Sequence, residues 1–114
     1  NKHINYSVLP APVGTANYSL ATPVEMAINS AGTTLYVAAF GSSKVGVFST
    51  ATLEANTFNP TTDSANYITV TGGGPGGLVL DEGNNRLYVA TRFDNGISVV
   101  NPTTKAEVQH VLMY

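Results

Sequence analysis

The tetrapeptide Leu35-Tyr36-Val37-Ala38 returns 52 residues later as Leu87-Tyr88-Val89-Ala90. The same offset carries Pro23 onto Pro75, Val47 onto Val99 and Thr52 onto Thr104. Similar residues fall between them: Met26 with Leu78, Ala27 with Val79, Ile28 with Leu80, Asn29 with Asp81 and Val45 with Ile97. No gap is needed over about thirty positions, and self-similarity at a fixed long period marks a repeat architecture, in which one supersecondary unit recurs and stacks on itself. This constrains the fold far more than the function, because no cluster of residues specifies a reaction.

Within each repeat the apolar residues alternate, as half-buried strands require. Short strands are predicted over Glu25 to Ile28, Thr34 to Phe40, Lys44 to Ser49 and Asn66 to Thr71, then over Leu78 to Asp81, Arg86 to Arg92, Ile97 to Val100 and Ala106 to Met113. In the last of these, Val108, His110 and Leu112 alternate against Glu107, Gln109 and Val111. Asn29 to Gly32, Glu82 to Asn85 and Asn101 to Thr104 read as turns. Asp94-Asn95-Gly96 is the strongest hairpin signal, since Asn-Gly suits a tight turn with positive φ at both central residues. Thr50 to Asp63 is a long connection with a helical turn after Thr50, and Gly72 to Gly77 reads as a flexible crossing between units. Ahead of the repeats, Ile4 to Leu9 alternates as a leading strand ended by Pro10 and Pro12, and Tyr18 to Leu20 is a short extended piece in the linker that follows.

The fold class predicted is therefore all-β. Two four-stranded antiparallel blades are expected, residues 23–74 and 75–114, preceded by a leading outer strand and linker over residues 1–22. Four strands per repeat of about 40–50 residues is the sequence form of a propeller blade. A β-sandwich explains the strand count equally well but not the gapless self-similarity. The pattern Pro-x-x-Met/Leu-Ala/Val-Ile/Leu-Asn/Asp, then Leu-Tyr-Val-Ala, then a turn and Val-x-Val, resembles the YVTN-type repeats of β-propeller proteins over residues 23–52 and 75–104. Where that family usually has Tyr-Val-Thr-Asn, this chain has Tyr36-Val37-Ala38-Ala39 and Tyr88-Val89-Ala90-Thr91. The resemblance implies a propeller and is shared by surface-layer proteins, lactonase-like enzymes, quinoprotein-like domains and exported proteins fused to c-type haem domains, so it does not choose a function. A closed propeller needs at least four blades. The expectation is thus either a segment of a larger propeller or copies assembled into a ring, with the leading strand and the last strand, ending at Tyr114, favouring the segment.

Composition removes several classes of function. The net charge is −2 and charged residues are 11% of the 114, so there is no basic field for nucleic acid and no Lys/Arg cluster for an anionic membrane. With no cysteine, thiol catalysis, thiolate metal sites and covalent haem attachment have no residue to use. No apolar run reaches the length of a membrane span. A surface rich in Asn, Thr, Ser and Gly rather than charge points to a periplasmic or extracellular location. Asn5-Tyr6-Ser7 and Asn17-Tyr18-Ser19 match the glycosylation acceptor pattern.

The candidate sites are few. His3 and His110 are the only histidines, too few for a His-rich metal site, and no metal ligand set, cofactor site or catalytic set is predicted. His110 is expected to be half-buried or at the surface. Glu25 begins the innermost strand, which in a propeller lines the central channel, and a carboxylate there could bind a cation or a polar ligand. Arg92 and Asp94 lie in the loop between the second and third strands of the second unit, an end where propellers commonly bind; the alternative is that they brace a hairpin. Asp81 is expected to hold the turn after it, and Tyr36 and Tyr88 to be blade core. The function expected is a non-catalytic binding or scaffold segment of an exported β-propeller, its partners the remaining blades or further copies. The alternatives are part of a larger haem-linked redox or lactonase-like propeller enzyme whose active site lies outside this chain, or a ring-forming lectin-like module.

Overall fold

The computed structural model describes residues 4, 19–63 and 66–114. It is all-β apart from short helical turns. The first sheet holds β1 (Pro23–Ile28), β2 (Thr34–Ala39), β3 (Lys44–Ser49) and β4 (Ile68–Thr69) in the order β1-β2-β3-β4. The second holds β5 (Pro75–Asp81), β6 (Arg86–Thr91), β7 (Gly96–Asn101) and β8 (Ala106–Leu112), in the order β5-β6-β7-β8. Every neighbouring pair is antiparallel, and the registers repeat at the 52-residue offset: Ala27 faces Tyr36 and Tyr36 faces Val47, as Val79 faces Tyr88 and Tyr88 faces Val99. The outer strands keep the pairing but not the offset: the amides of Val70 and Met113, 43 residues apart, bond the carbonyls of Ser43 and Asn95.

Several boundaries differ from the sequence reading. β1 and β5 start at Pro23 and Pro75, because a proline at the head of a strand that has only one neighbour in its sheet leaves no ladder bond unmade. β5 thereby absorbs Gly76 and Gly77, and the crossing between sheets runs from Val70 to Gly74. β4 is only two residues long. The helical turn expected after Thr50 is present as α1 (Thr50–Ala55), with the Ser49 hydroxyl accepting from the Thr52 amide, and a second helical turn, α2, spans Pro60–Asp63. Apart from Ile4, the expected leading strand lies outside the described residues, as do Tyr18 and both glycosylation asparagines.

The tight Asn-Gly turn is not what forms. Thr91 pairs with Gly96, so the loop is four residues long, and only its last, Asn95, has positive φ. Three other hairpins use the same device. Ala39 pairs with Lys44, Asp81 with Arg86 and Asn101 with Ala106, and Ser43, Asn85 and Lys105 close those loops in the left-handed conformation. Strand register set the loop length, and Asn95 supplies the left-handed residue that Asn tolerates. The β1–β2 turn is held by the Asn29 carboxamide, which accepts from the amides of Thr33 and Thr34. Its repeat partner Asp81 accepts from the Asn84 amide and side chain, the role expected of it.

Each sheet has two faces of different character. One carries the repeat tyrosine: Tyr36, Ala38, Val45, Val47 and Ile68 in the first sheet. The other carries the repeat leucine: Leu78, Leu80, Leu87, Val89 and Val100 in the second. The core forms where the tyrosine face of the first sheet meets the leucine face of the second. The remaining leucine face, on the first sheet, is covered at β3, where Phe48 meets the tilted rings of Phe58 and Tyr67 at ring distances of 5.1 and 5.5 Å.

Candidate functional site

Six side chains form one polar chain along the outer edge of the second sheet. Asp94 is the third residue of the β6–β7 loop, and its Oδ1 accepts from the Thr91 hydroxyl at 2.8 Å. Its Oδ2 lies 2.5 Å from Nε2 of His110 on β8, and since a carboxylate only accepts, Nε2 carries the proton. Nδ1 of His110 lies 4.0 Å from Glu107 Oε2 and is buried without a hydrogen-bond partner. Glu107 accepts from the Ser98 hydroxyl at 2.5 Å, the Thr71 hydroxyl at 2.7 Å and the Thr71 amide at 3.1 Å. Two glycines make room for the cluster. A Cβ on Gly96 would lie 2.7 Å from His110 Nε2, and one on Gly72 would strike the Asp94 carboxylate.

Local folding explains why these groups meet. Glu107 and His110 are three residues apart, which in a regular strand puts them on opposite faces. A bulge intervenes: Val99 faces Gln109 but Val100 faces Glu107, leaving Val108 unpaired. Glu107 and His110 therefore share the leucine face, while Gln109 and Val111 take the other. The alternation expected from sequence, with Val108 and His110 on one face, fails at this bulge. The only trace of it in sequence is a strand whose charged residues fit neither alternating face.

The electrostatics follow from the contacts. Burial by itself would raise the Asp94 carboxyl, but the hydrogen bonds from Thr91 and His110 and the charge of the imidazole outweigh it and hold the carboxyl below its ordinary range. Glu107 is likewise pushed up by burial and drawn lower, on balance, by the Ser98 and Thr71 donors and the charge of His110. Chemically the cluster is a brace. Catalysis by a hydroxyl needs the imidazole between acid and hydroxyl, whereas here the Ser98 hydroxyl is turned to Glu107 and the imidazole lies between two carboxylates. It ties β8 to the β6–β7 loop through Asp94, to β7 through Ser98, and to the crossing from the first sheet through Thr71.

The three residues singled out from sequence lie apart in role. Asp94 belongs to this cluster. Its neighbour Arg92 turns away from it and places its guanidinium 5.9 Å from the centre of the Phe40 ring, which meets the exposed Phe93 edge-on at 5.1 Å. Phe93 in turn packs over Gly73 and Gly74, so this rim seals the seam between the sheets. Glu25 is exposed at the start of β1, where its carboxylate accepts from the Met26 amide at 2.9 Å. His110 is half-buried, and sequence reasoning gave it no partner; Glu107, Ser98 and Thr71 were not singled out at all.

At the opposite rim the seam opens into a polar cleft of about 220 Å³ lined by Asn29, Tyr36, Glu82, Asn85 and Thr103 among others. Burial, with the Glu82 charge, raises the Tyr36 phenol above its ordinary pKa. Glu82 spans the seam by accepting from the Ser30 amide at 3.0 Å. Among the described residues no group of three or more metal-ligating side chains could hold an ion, and no helix is long and apolar enough to cross a membrane. No protein-family model matches the chain, and no curated protein matches it.

Proposed function

We propose that this chain is a non-catalytic binding or scaffold segment of an exported β-propeller protein, built by stacking one repeated sheet. The observation that carries this reading is the way the two sheets meet. A tyrosine face packs on a leucine face, so each sheet uses a different surface towards the neighbour before it and the neighbour after it, which is how stacked repeats propagate. The second sheet turns an equivalent tyrosine face outward, supporting a role as one part of a longer stack. In the one cluster of acid and base side chains described above, Asp94 and His110 are engaged with one another and Glu107 with Ser98 and Thr71, which favours a scaffold over a reactive centre there. The low charge and the Asn/Thr-rich surface support export.

The test is a turnover panel of lactones, activated esters and a redox dye, set beside a glycan array. No turnover above buffer is expected. Turnover that disappears in His110→Ala would replace the scaffold with an enzyme, whereas saturable glycan binding would identify what the scaffold presents.

A further inference from the structure

The intersheet core of this chain has two halves, and both halves recur uncovered on its surface. In the first sheet the tyrosine face is shut: Tyr36 is 7% exposed, Ile68 1% and Val70 2%. The same positions in the second sheet are open, with Tyr88 at 37%, Val111 at 41% and Met113 at 62%. Val79, in the place of Ala27, stands out on this face. The complementary half is the leucine face of the first sheet. There Met26 is 63% and Ile28 54% exposed, in the places that Leu78 and Leu80 fill inside the core. Beside them Leu35 and Val37 line an apolar groove of about 310 Å³, walled by Leu20, Pro23, Phe48 and Leu53 and, from the leading segment, by Ile4. Where β3 would extend this face, Phe48 is covered by Phe58 and Tyr67, so the open part is β1, with Leu35 and Val37 of β2 half-buried beside it.

We infer that a second copy of this chain docks head to tail, its β1–β2 leucine face covering the Tyr88 face of the first. The inference rests on the stacking proposed above and names the partner of the open face. The argument for a copy of this chain is that the contact already exists once within it. Val79, Tyr88 and Ala90 would meet Met26, Ile28 and Val37, as Ala27, Tyr36 and Ala38 meet Leu78, Leu80 and Val89. An exposed apolar patch of this kind marks an association surface. The contact is heterologous, so each copy that docks presents a fresh Tyr88 face, and the assembly closes as a ring or extends as a filament.

The test is light scattering coupled to size exclusion over a range of concentrations, with Val79→Glu on one face and Met26→Glu on the other. Both side chains are exposed, so at concentrations where the parent chain is monomeric each variant should keep its melting curve. The parent should form species at multiples of 11.9 kDa. Each variant alone should be monomeric, with association weakened roughly tenfold or more by the charge placed in the contact. The two variants mixed should form a 1:1 dimer and stop there, since each has one intact face and the pair has one matching contact. A Met26→Glu chain that still dimerises alone would mean tyrosine face on tyrosine face, and would overturn the inference. So would a parent chain monomeric at every concentration, which would leave the Tyr88 face to a further repeat of a longer chain. Neither result bears on the turnover panel, so the scaffold reading stands or falls separately.

Discussion

The two sheets share a repeat and a register, yet each is closed by different means. In the first sheet the tyrosine face is sealed by its neighbour, and the outer strand β4 is two residues long, followed inward by the aromatic group of Phe48, Phe58 and Tyr67. In the second the tyrosine face is open and the outer strand β8 is seven residues long, fastened by the Asp94, His110 and Glu107 side chains. Among the described residues the first sheet has no such fastening: the equivalents of Asp94 and Gly96 are Ser42 and Lys44, and the Ser42 hydroxyl accepts from the Ala21 amide instead. One sequence pattern thus fixes the inner three strands of a repeat, while the fourth strand is held by whatever residues lie outside the pattern.

The sharpest way to break the equivalence is to truncate the two tyrosines. Tyr36→Ala empties a buried site in the intersheet core and is expected to cost about 3–5 kcal/mol, as large-to-small aromatic changes in cores do. Tyr88→Ala removes an exposed ring from the open face and should cost under about 1 kcal/mol at concentrations where the chain is monomeric. Chemical denaturation of both variants checks this. Equal losses would mean that the Tyr88 face is covered in solution, and a Tyr88→Ala loss that grows with concentration would locate the cover in a second copy.

The polar fastening of β8 gives the next largest effect. Glu107→Ala leaves the Ser98 hydroxyl, which is fully buried, and the Thr71 amide without their acceptor, and should cost about 1–3 kcal/mol. Because Glu107 reaches the crossing from the first sheet as well as β7, hydrogen exchange should rise at Thr71 along with β8. Exchange confined to β8 would show that the brace holds the outer strand only.

How much of this was legible in sequence follows the same division. The inner strands, the turns held by Asn29 and Asp81, and the all-β class can be read from the 52-residue offset, because period-two alternation and turn chemistry are local. The cluster around Asp94 was half legible. Asp94 stands out as a loop carboxylate, but its partner His110 shares a face with Glu107 only through the bulge at Val108, and a bulge breaks the alternation from which faces are read. The four-residue β6–β7 loop escaped the Asn-Gly rule because register across β6 and β7 decides loop length, which the dipeptide alone does not encode. Which tyrosine is buried was not legible at all: Tyr36 and Tyr88 sit in the same local sequence, and only the neighbouring sheet separates them.

Acidification sharpens the comparison more gently than deletion, since protonation leaves the shape of the brace intact. Asp94 and Glu107 both have folded values lowered from their ordinary values of 3.8 and 4.5. A depressed carboxyl binds its proton more tightly in the unfolded chain. Its contribution is therefore complete above about pH 5 and fades as pH falls through the folded values. Thermal midpoints should hold from pH 7 to about 5 and drop below about 4, with β8 exchanging before β1 to β3. In Asp94→Asn the drop should be shallower. An acid response identical in the variant would assign the loss to other carboxylates.

The smallest effect belongs to the rim that seals the seam. Arg92 extends from the second sheet over Phe40 of the first, and exposed cation–π contacts contribute about 0.5–1 kcal/mol. Arg92→Ala should lower stability by that amount, while Arg92→Lys, which keeps the charge but loses the planar stacking group, should retain part of it. The same contact bears on how the two sheets are coupled. With the apolar core intact, loss of Arg92 should leave unfolding a single cooperative transition. Two resolved transitions in Arg92→Ala would mean that the sheets are joined mainly at this rim rather than through the meeting of the tyrosine and leucine faces.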